Sequence, residues 1–476
     1  MLDTPPKMCG VFLITIRKTP IDQEEKPLTT HLIKEVLYMH FSDHIKASLI
    51  SIIDEIATDP RKYVLNPGKD FTRNRKMGFR DTILMLLTME GDCIKEEIYR
   101  YFGRNKEAPS KSAFYRQRRK LNSQALANIL FMFNQKLTKE LYNGKYQLIA
   151  CDGSAADIFR NPDDPDTFFE PNGKSSRGFN QIHINAFFSI LDRRFINLVI
   201  QPGRKRNEYA AFCEMVDAAG SSGAPTIYFA DMGYASYNNF AHVIENNQFF
   251  LIRCNDKRLA GILGRSIDGL REMDIHVDRI LTRSQAKKKR LRPDLSENYR
   301  YTCMAVPMDY LDEEHPEYSI SLRIVRFEIA PGSFENIITN LPDIEFDFED
   351  FKNLYHLRWN LENSFRDLKY PLCLTAFHSK KYEYIVQEVW ARAILHNFSS
   401  AITSSVVIEK KDTLYEYRAN FSEACKTCRD FLRIHDGITE MDVESLIAQN
   451  IEPIRPGRTF ARQHRFKLPI SFCYRR

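Results

Sequence analysis

The sequence predicts an α/β protein in which helical segments accompany a mixed β-sheet. Three observations predict this fold class. Residues 40–145 carry apolar residues at helical spacing, residues 146–256 alternate short apolar runs with helical segments, and residues 257–345 contain further extended segments. The middle segments follow the order strand, two hairpin strands, helix, strand, helix and strand. This order indicates a mixed sheet and argues against a repeating βαβ array.

The composition is that of a globular protein with several domains. The 476 residues are too many for one ordinary domain and suggest two to four. Hydrophobic residues make up 43% of the chain and charged residues 27%. The net charge of +6 is small for this length, so any nucleic-acid surface must arise from local clustering of cations.

Neither the cysteines nor the apolar stretches predict a zinc site or a membrane span. Cys425 and Cys428 form one C-x-x-C, and no second pair completes a zinc site, so buried reduced thiols are expected. The most apolar long stretch, residues 384–408, includes Glu388 and Arg392, which favours a buried helix. The chain is therefore expected to be cytoplasmic.

The first part of the chain is predicted to be helical and basic. Residues 1–39 differ in residue pattern from the rest of the chain and are a possible N-terminal extension. In residues 40–145 the segments FRDTILMLLTM, CIKEEIYRYFG and SKSAFYRQRRKL show helical spacing, the last with Ser110 as N-cap. Residues 104–120 contain one acid and seven cations, namely Arg104, Lys106, Lys111, Arg116, Arg118, Arg119 and Lys120. A helix-turn-helix-like DNA module with Arg116, Arg118 and Arg119 on DNA is predicted; a solvated basic helix is the alternative.

Residues 146–256 supply the strands of the predicted sheet. YQLIACDGS is a short apolar run that ends in Asp152 and Gly153. The segments at 181–191 and 194–202, separated by Asp192-Arg193, predict a β-hairpin. The helix NEYAAFCEMVDAAG, the strand APTIYFADMGY, the helix YNNFAHVIENN and the strand QFFLIRC follow.

Residues 257–345 predict a β-rich insertion with a basic loop. SISLRIVRFEI alternates apolar and polar residues, with a slip near Ile324-Val325 that predicts a bulge. REMDIHVDRIL and YRYTCMAVPM also look extended. Between them RSQAKKKRLRP has six cations and no acid. Its central cations are candidate DNA ligands: Lys287, Lys288, Lys289 and Arg290.

A helix is predicted to resume near Asp347 and to carry the segment YHLRWNLENSFRDLK, residues 355–369. At about 100° per residue its leucines and phenylalanine form one stripe. The adjoining stripe holds a carboxylate among cations and a tyrosine, namely Tyr355, Arg358, Glu362, Arg366 and Lys369. Such a stripe usually faces water, so its meaning depends on the rest of the chain. Residues 346–410 are assigned to the sheet domain, and residues 411–476 to a helical C-terminal region.

Two further carboxylates stand where apolar strands are predicted to end. Asp152 follows LIAC, and Asp231 follows TIYFA and precedes Met-Gly-Tyr. Strand ends that face a crevice are where α/β proteins build their sites, although a turn or helix cap is the alternative for either residue alone. Together with Glu362 they would supply the hard oxygen ligands that Mg²⁺ prefers, as in two-metal phosphoryl transfer.

These motifs resemble those of the DDE transposases of bacterial insertion sequences, in the subgroup with a Tyr-Arg-Glu-Lys signature. That signature, Y-x2-R-x3-E-x6-K, occurs without a gap as Tyr355, Arg358, Glu362 and Lys369. The D-x-G-Y around the second aspartate occurs at residues 231–234, and the first aspartate is Asp152 in CDGS. The resemblance covers residues 72 to about 400 in order.

The resemblance implies an RNase H-like core interrupted by the β insertion, with a helical N-terminal DNA-binding region and a helical C-terminal tail. It implies that Asp152, Asp231 and Glu362 hold two Mg²⁺ or Mn²⁺ ions, and that Tyr355, Arg358 and Lys369 bind phosphates at the transposon end, with Arg366 as a helper. The implied activity is cut-and-paste transposition of double-stranded DNA. The implied partners are terminal inverted repeats, target DNA and a second copy of the chain, in the bacterial nucleoid.

One departure from the family pattern concerns a base-stacking tryptophan that some relatives carry in the β insertion. The only tryptophans here are Trp359 and Trp390, so Tyr299, Tyr301 or Phe327 would have to stack on a flipped base. A hairpin intermediate is therefore an open question. Two other functions also stay open: a nuclease or resolvase without strand transfer, and a DNA-binding protein whose catalysis has decayed.

Overall fold

The computed structural model describes most of the chain from residue 40 onward. The described residues are 40–173, 175–220, 223–285, 298–357, 365–369, 372, 374, 376–409, 415–434 and 441–455. The possible extension at 1–39 and the basic loop residues 287–290 lie outside them. No helix within the described ranges is long and apolar enough to cross a membrane.

Five helices form the first part of the chain, and three of them lie at the segments whose apolar spacing predicted helices. They are α1 (Phe41–Thr58), α2 (Phe79–Thr88), α3 (Ile94–Phe102), α4 (Lys111–Arg118) and α5 (Gln124–Lys136). Ser110 caps α4 as predicted, because its Oγ accepts a hydrogen bond of 3.2 Å from the amide of Ala113. The apolar faces of these helices share one core with a long helix from the C-terminal half.

The sheet strands begin at residue 147. They are β1 (Gln147–Ile158), β2 (Phe168–Phe169), β3 (Phe179–Ser189), β4 (Arg194–Pro202), β5 (Thr226–Ala230), β6 (Phe249–Cys254), β7 (Met273–Thr282), β8 (Tyr299–Tyr301), β9 (Glu317–Ala330) and β10 (Ser333–Thr339). Within the described residues, α6 (Glu208–Ala219), α7 (Tyr237–Glu245) and α8 (Asp256–Leu263) lie between them. β3 and β4 form the predicted hairpin, and α6 ends at Gly220 as predicted.

The strand order explains why the sheet is mixed. β4, β3 and β1 pair antiparallel in that order, and β5 and then β6 continue the sheet parallel to β1. This arrangement of three antiparallel strands followed by two parallel ones is RNase H-like. The fold class predicted from the sequence is confirmed.

The insertion extends the core sheet edge to edge. β10 pairs with β6, and β9, β7 and β8 follow outward. The bulge predicted at Ile324-Val325 is wrong, because both residues keep regular pairing with β7 and β10. Residues Leu322 to Phe327 are all buried, so apolar side chains occupy both faces of this strand and mimic a register slip. The irregularity lies instead at Ser333/Phe334, beside the β9–β10 turn.

Helices from the C-terminal half also belong to the core. α9 (Phe348–Leu357) begins where the sequence predicted, and α10 (Tyr382–Ser405) is buried along most of its length. α10 packs against α2, α5 and α1 and against strand β4, so it joins the N-terminal helices to the sheet. The C-terminal part contains α11 (Phe421–Arg433), α12 (Val443–Gln449) and a small ribbon of β11 (Glu416–Ala419) and β12 (Ile451–Ile454). Cys425 and Cys428 are free thiols buried in α11, as expected.

Candidate active site

The two aspartates lie on neighbouring parallel strands. Cys151 of β1 and Ala230 of β5 are the last pair in the register, and Asp152 and Asp231 follow them directly. Adjacent strands are about 4.8 Å apart, so the two carboxylates are neighbours. Asp152 does not end its strand as predicted, because β1 continues to Ile158 by pairing with β3 alone. The apolar run stops at Asp152 because the pairing with β5 stops there.

Strand alternation directs both carboxylates to the same face of the sheet. Ala150 of β1 and Phe229 of β5, each two residues before its aspartate, pack in the core formed with the N-terminal helices and α10. Side chains two apart in a strand share a face, so Asp152 and Asp231 point to this side. Phe365 and Leu368, from the segment 365–369, pack in the same core. The helical signature segment therefore approaches the face that carries the two aspartates.

The turn after β5 orients Asp231. The amide of Gly233 donates a hydrogen bond of 2.7 Å to Oδ1 of Asp231. A Cβ on residue 233 would lie 2.9 Å from that oxygen, so a glycine lets the turn close on the carboxylate. Tyr234 is buried against Phe212, with ring centroids 5.8 Å apart, and burial raises the pKa of its hydroxyl. The D-x-G-Y motif thus combines a ligand candidate, a tight turn and an aromatic anchor.

Gly153 lets a buried histidine approach the strand beside Asp152. A Cβ on residue 153 would lie 2.4 Å from Nε2 of His183 and 3.0 Å from Oε1 of Glu208. Nε2 of His183 is 2.9 Å from that oxygen, although the contact lacks good hydrogen-bond geometry. The nearby His183 ring lowers the pKa of Glu208, against the opposing effect of burial. This pair was not predicted from the sequence, where the alternating polar residues of QIHIN were the available signal.

Lys369 reaches the same face of β1. Its Nζ donates a hydrogen bond of 2.7 Å to Oγ of Ser154, two residues beyond Asp152. Burial lowers the pKa of Lys369, and the negative charges of Asp157 and Asp152 act in the opposite direction. The last residue of the predicted signature therefore lies close to the first aspartate. Ser154 was not singled out from the sequence, although its position two residues after Asp152 was the signal.

The other signature residues are only partly described. Arg358 and Glu362 lie outside the described residues, and for Tyr355, in α9, only the backbone is described. Arg366 is exposed. Among the described residues no three His, Cys, Asp or Glu side chains converge to hold a metal ion by themselves. Asp152 and Asp231 supply two carboxylates of the hard-oxygen type that suits a divalent ion such as Mg²⁺.

Helix α4 and its C-cap residue expose two of the three predicted DNA-binding arginines. Arg116 and Arg119 are exposed and line a groove of about 770 Å³. The groove also includes Arg75, Lys76 and Lys120. Five cations around one groove form a surface on which a phosphate backbone could bind.

Arg118 corrects the prediction for the third arginine. Its side chain is 0% exposed and forms an ion pair of 2.8 Å with Glu388 of α10, so it does not reach DNA in this structure. Burial alone would raise the pKa of Glu388, but the charges of Arg118 and His378 outweigh that effect and lower it to about 2. The sequence contained a signal, because Arg118 lies one helical turn after Phe114, a fully buried residue.

The insertion offers one exposed aromatic ring of the three considered for base stacking. Phe327 is 1% exposed, so its assignment as a stacking candidate is corrected. Tyr299 is half-buried, whereas Tyr301 is 40% exposed. β8, which holds Tyr301, is six strands from β1 in the sheet order, roughly 29 Å at the usual strand spacing.

Comparison with known families agrees with this geometry. A family model described as the transposase DDE domain matches residues 143–398. The chain belongs to this family. The match spans β1 with Asp152, β5 with Asp231, the insertion and most of α10. No curated protein matches the transposase in sequence.

Among solved structures, the cryo-electron microscopy structure of the piggyBac transposase synaptic complex with hairpin DNA is similar at a TM-score of 0.39 and 11% identity. The alignment covers 90% of this chain and 88% of that chain. A likeness of that degree supports no argument about the site. Family membership assigns DNA transposition to the chain, as an enzyme of the polynucleotidyl transferase and endonuclease class. Enzymes of this family generally depend on divalent metal ions and act on DNA.

Proposed function

We propose that the transposase cuts DNA at the ends of its element and joins the freed ends to target DNA, with Asp152, Asp231 and Glu362 holding two Mg²⁺ or Mn²⁺ ions. The proposal is supported above all by the register of β1 and β5, which makes Asp152 and Asp231 neighbours on the face that Lys369 reaches. Glu362 precedes Lys369 by seven positions, two turns of a helix, so helical spacing would direct both to one side.

The chain's own residues would orient the reacting phosphate. When bound, divalent ions would activate a water molecule or a DNA 3′-hydroxyl as the nucleophile and would stabilise the leaving oxygen. Lys369 would exchange Ser154 for a phosphate oxygen, because a charge-assisted bond to phosphate is stronger than one to a hydroxyl. Arg358 and Tyr355 would bind neighbouring phosphates, with Arg366 as a helper at the surface. The amide of Gly233 would hold the Asp231 carboxylate in place throughout.

The remaining parts of the chain would bind DNA and pair the ends. Arg116 and Arg119 would contact the phosphates of the terminal inverted repeat, and the cations at 287–290 would contact DNA from the insertion. Two copies would hold two ends together as a homodimer in the bacterial nucleoid. The proposed division is a DNA-binding region (40–145), a core in two parts (146–256 and 346–410), an insertion (257–345) and a C-terminal region (411–476).

The test is to replace each proposed metal ligand by its amide. Asp152→Asn, Asp231→Asn and Glu362→Gln keep the side-chain shape and remove the negative charge that a divalent ion needs. Each variant is expected to lose cleavage of end DNA in Mg²⁺ and Mn²⁺ while it retains binding in an electrophoretic shift assay. Chelation of metal should have the same effect on the unmodified protein.

Asp217→Asn is the matched control. Asp217 lies on α6, contacts His242 of α7 at 2.9 Å, and is not part of the proposed site. It should cut at the normal rate. Normal cleavage by the Glu362→Gln variant would show that the third ligand is a different residue. Cleavage without joining to target DNA would favour a nuclease over a complete transposition activity.

A further inference from the structure

We propose that a basic and aromatic surface beyond the end of β1 holds the backbone of the transposon-end duplex, roughly six to eight base pairs from the bond that is cut. This surface, called the β1-tip surface, comprises Phe159, Arg160, Phe168, Phe169, Arg204 and Lys380. The inference rests on the proposed function, because it assumes that Asp152 marks the position of the reacting phosphate.

The β1-tip surface holds three exposed cations over aromatic rings. The pairs are Arg160 over Phe168 at 5.6 Å, Arg204 over Phe169 at 5.5 Å, and Lys380 over Phe159 at 3.9 Å. Phe169 also stacks on Phe179, with centroids 5.1 Å apart. A cation held over a ring keeps its charge at the surface and loses less conformational entropy when it binds an anion.

Two of these cations have no neutralising carboxylate. Within the described part of the chain, no Asp or Glu oxygen lies within 4.0 Å of the guanidinium of Arg160 or Arg204. Arg160 donates from Nε to the carbonyl of Arg177 at 3.0 Å, which fixes its direction without cancelling its charge. Nearby Lys205, by contrast, is paired with Asp166 at 2.7 Å. Exposed guanidinium groups with unmatched charge suit phosphate, which they can bind through two parallel hydrogen bonds.

The position of the surface sets the distance to the cleaved bond. β1 runs extended from Asp152 to Ile158, and Phe159 follows it. At about 3.3 Å per residue, Phe159 lies roughly 23 Å from Asp152 along the strand. B-DNA rises about 3.4 Å per base pair, so this span corresponds to roughly seven base pairs.

Contacts at the start of α10 favour the transposon end over target DNA as the occupant. Lys380 precedes α10, and four residues later the carbonyl of Tyr384 accepts a hydrogen bond from Arg118 of α4. α4 buries Arg118 on this side, whereas Arg116 and the C-cap residue Arg119 are exposed in the groove. A path along β1 from Asp152 to the β1-tip surface therefore continues, through Lys380 and the start of α10, to the helix proposed to bind the inverted repeat. One continuous duplex could follow that path.

The experiment combines a triple variant with neutralised phosphates. We expect the variant Arg160→Ala/Arg204→Ala/Lys380→Ala to bind the inverted-repeat duplex of its own element more weakly. Its plot of log association constant against log salt concentration should have a slope less steep by about 2.7, since each lost phosphate contact contributes about 0.9. Doubling the salt concentration should therefore weaken wild-type binding about six-fold more than variant binding. Single methylphosphonates within the element, roughly six to eight base pairs from the bond that is cut, should weaken binding by the wild type and leave binding by the variant unaffected.

Two control proteins make the result specific. Arg61→Ala/Lys145→Ala/Lys426→Ala removes three cations that are paired with acids elsewhere, and its salt dependence should match the wild type. Arg160→Lys/Arg204→Lys keeps the charge and should keep most of the salt dependence, which separates lost charge from lost folding. An unchanged salt dependence in the triple variant, or methylphosphonate effects confined to flanking DNA, would overturn the inference. Failure of the wild type to cut the same duplex with metal would instead refute the proposed function.

Discussion

Gly153→Ala gives the sharpest test of how the strand beside the first aspartate is built. The added methyl would lie 2.4 Å from Nε2 and 2.9 Å from Cε1 of His183, about 1 Å inside ordinary contact. The ring cannot move freely, because His183 is 4% exposed and packs beside Glu208. Overpacking of this kind costs about 1–3 kcal/mol. We expect the free energy of unfolding to fall by that amount, seen as a lower urea midpoint with an unchanged slope. Cleavage should also be slower, because Asp152 directly precedes the displaced residue.

A second substitution separates the clash from other effects. His183→Ala removes the ring, so Gly153→Ala should cost much less in that background, with a coupling energy of about 0.5–3 kcal/mol in a double-mutant cycle. Gly261→Ala in α8 is the control, because its Cβ would meet nothing within 4 Å and alanine favours a helix by up to about 1 kcal/mol. Equal urea midpoints for Gly153→Ala and the wild type would refute the reasoning, as would a cost unchanged by His183→Ala.

Three other outcomes are expected. Arg118→Ala should lower the free energy of unfolding by about 3 kcal/mol, the lower end for a broken buried ion pair, because Glu388 loses Arg118 and keeps its contact with His378. Arg119→Ala should change it by less than about 0.5 kcal/mol and weaken DNA binding. Burial raises the pKa of Asp367 to about 6, so the folded state binds this proton more tightly than the unfolded state does. The free energy of unfolding should therefore decrease as pH rises from about 4 to about 6. Asp367→Asn should flatten that part of a stability–pH curve. Ser154→Ala should leave folding intact and alter the pH dependence of cleavage, because it removes the hydrogen bond from Lys369 to Ser154, while Ser154→Thr should restore it.

Local patterns in the sequence were sufficient where each face of an element has a single environment. The hairpin of β3 and β4 follows from two apolar runs around Asp192-Arg193, and the cap of α4 follows from Ser110. Pairing between distant strands was not available from such patterns. The sequence could not show that Asp152 lies within a strand, because that depends on where β5 stops beside it. The same limit caused the wrong bulge in β9, whose two faces are both covered.

The candidate site was predictable as residue types and spacing, and less so as contacts. The signature spacing identified Lys369, and the structure brings it to Ser154 beside Asp152. Residue type and spacing did not distinguish the adjacent arginines Arg118 and Arg119, because they differ only in which side of one turn they occupy. Arg118 is buried there and Arg119 is exposed. The buried pair of His183 and Glu208 arises from strand β3 and helix α6, which meet only in the folded protein. Charge counts along the chain do not carry such information.

The way α10 is shared has a consequence for exchanging parts between related enzymes. Its buried length packs against helices from the N-terminal part and against strand β4, and its Glu388 contacts both Arg118 and His378. A chimaera that received only residues 40–145 from a relative would place foreign side chains against a helix that evolved with different neighbours. Engineers who want a new end specificity should therefore transplant the facing half of α10 along with the helices that are proposed to bind DNA. Modularity in this molecule follows the packed interface and not the order of segments along the chain.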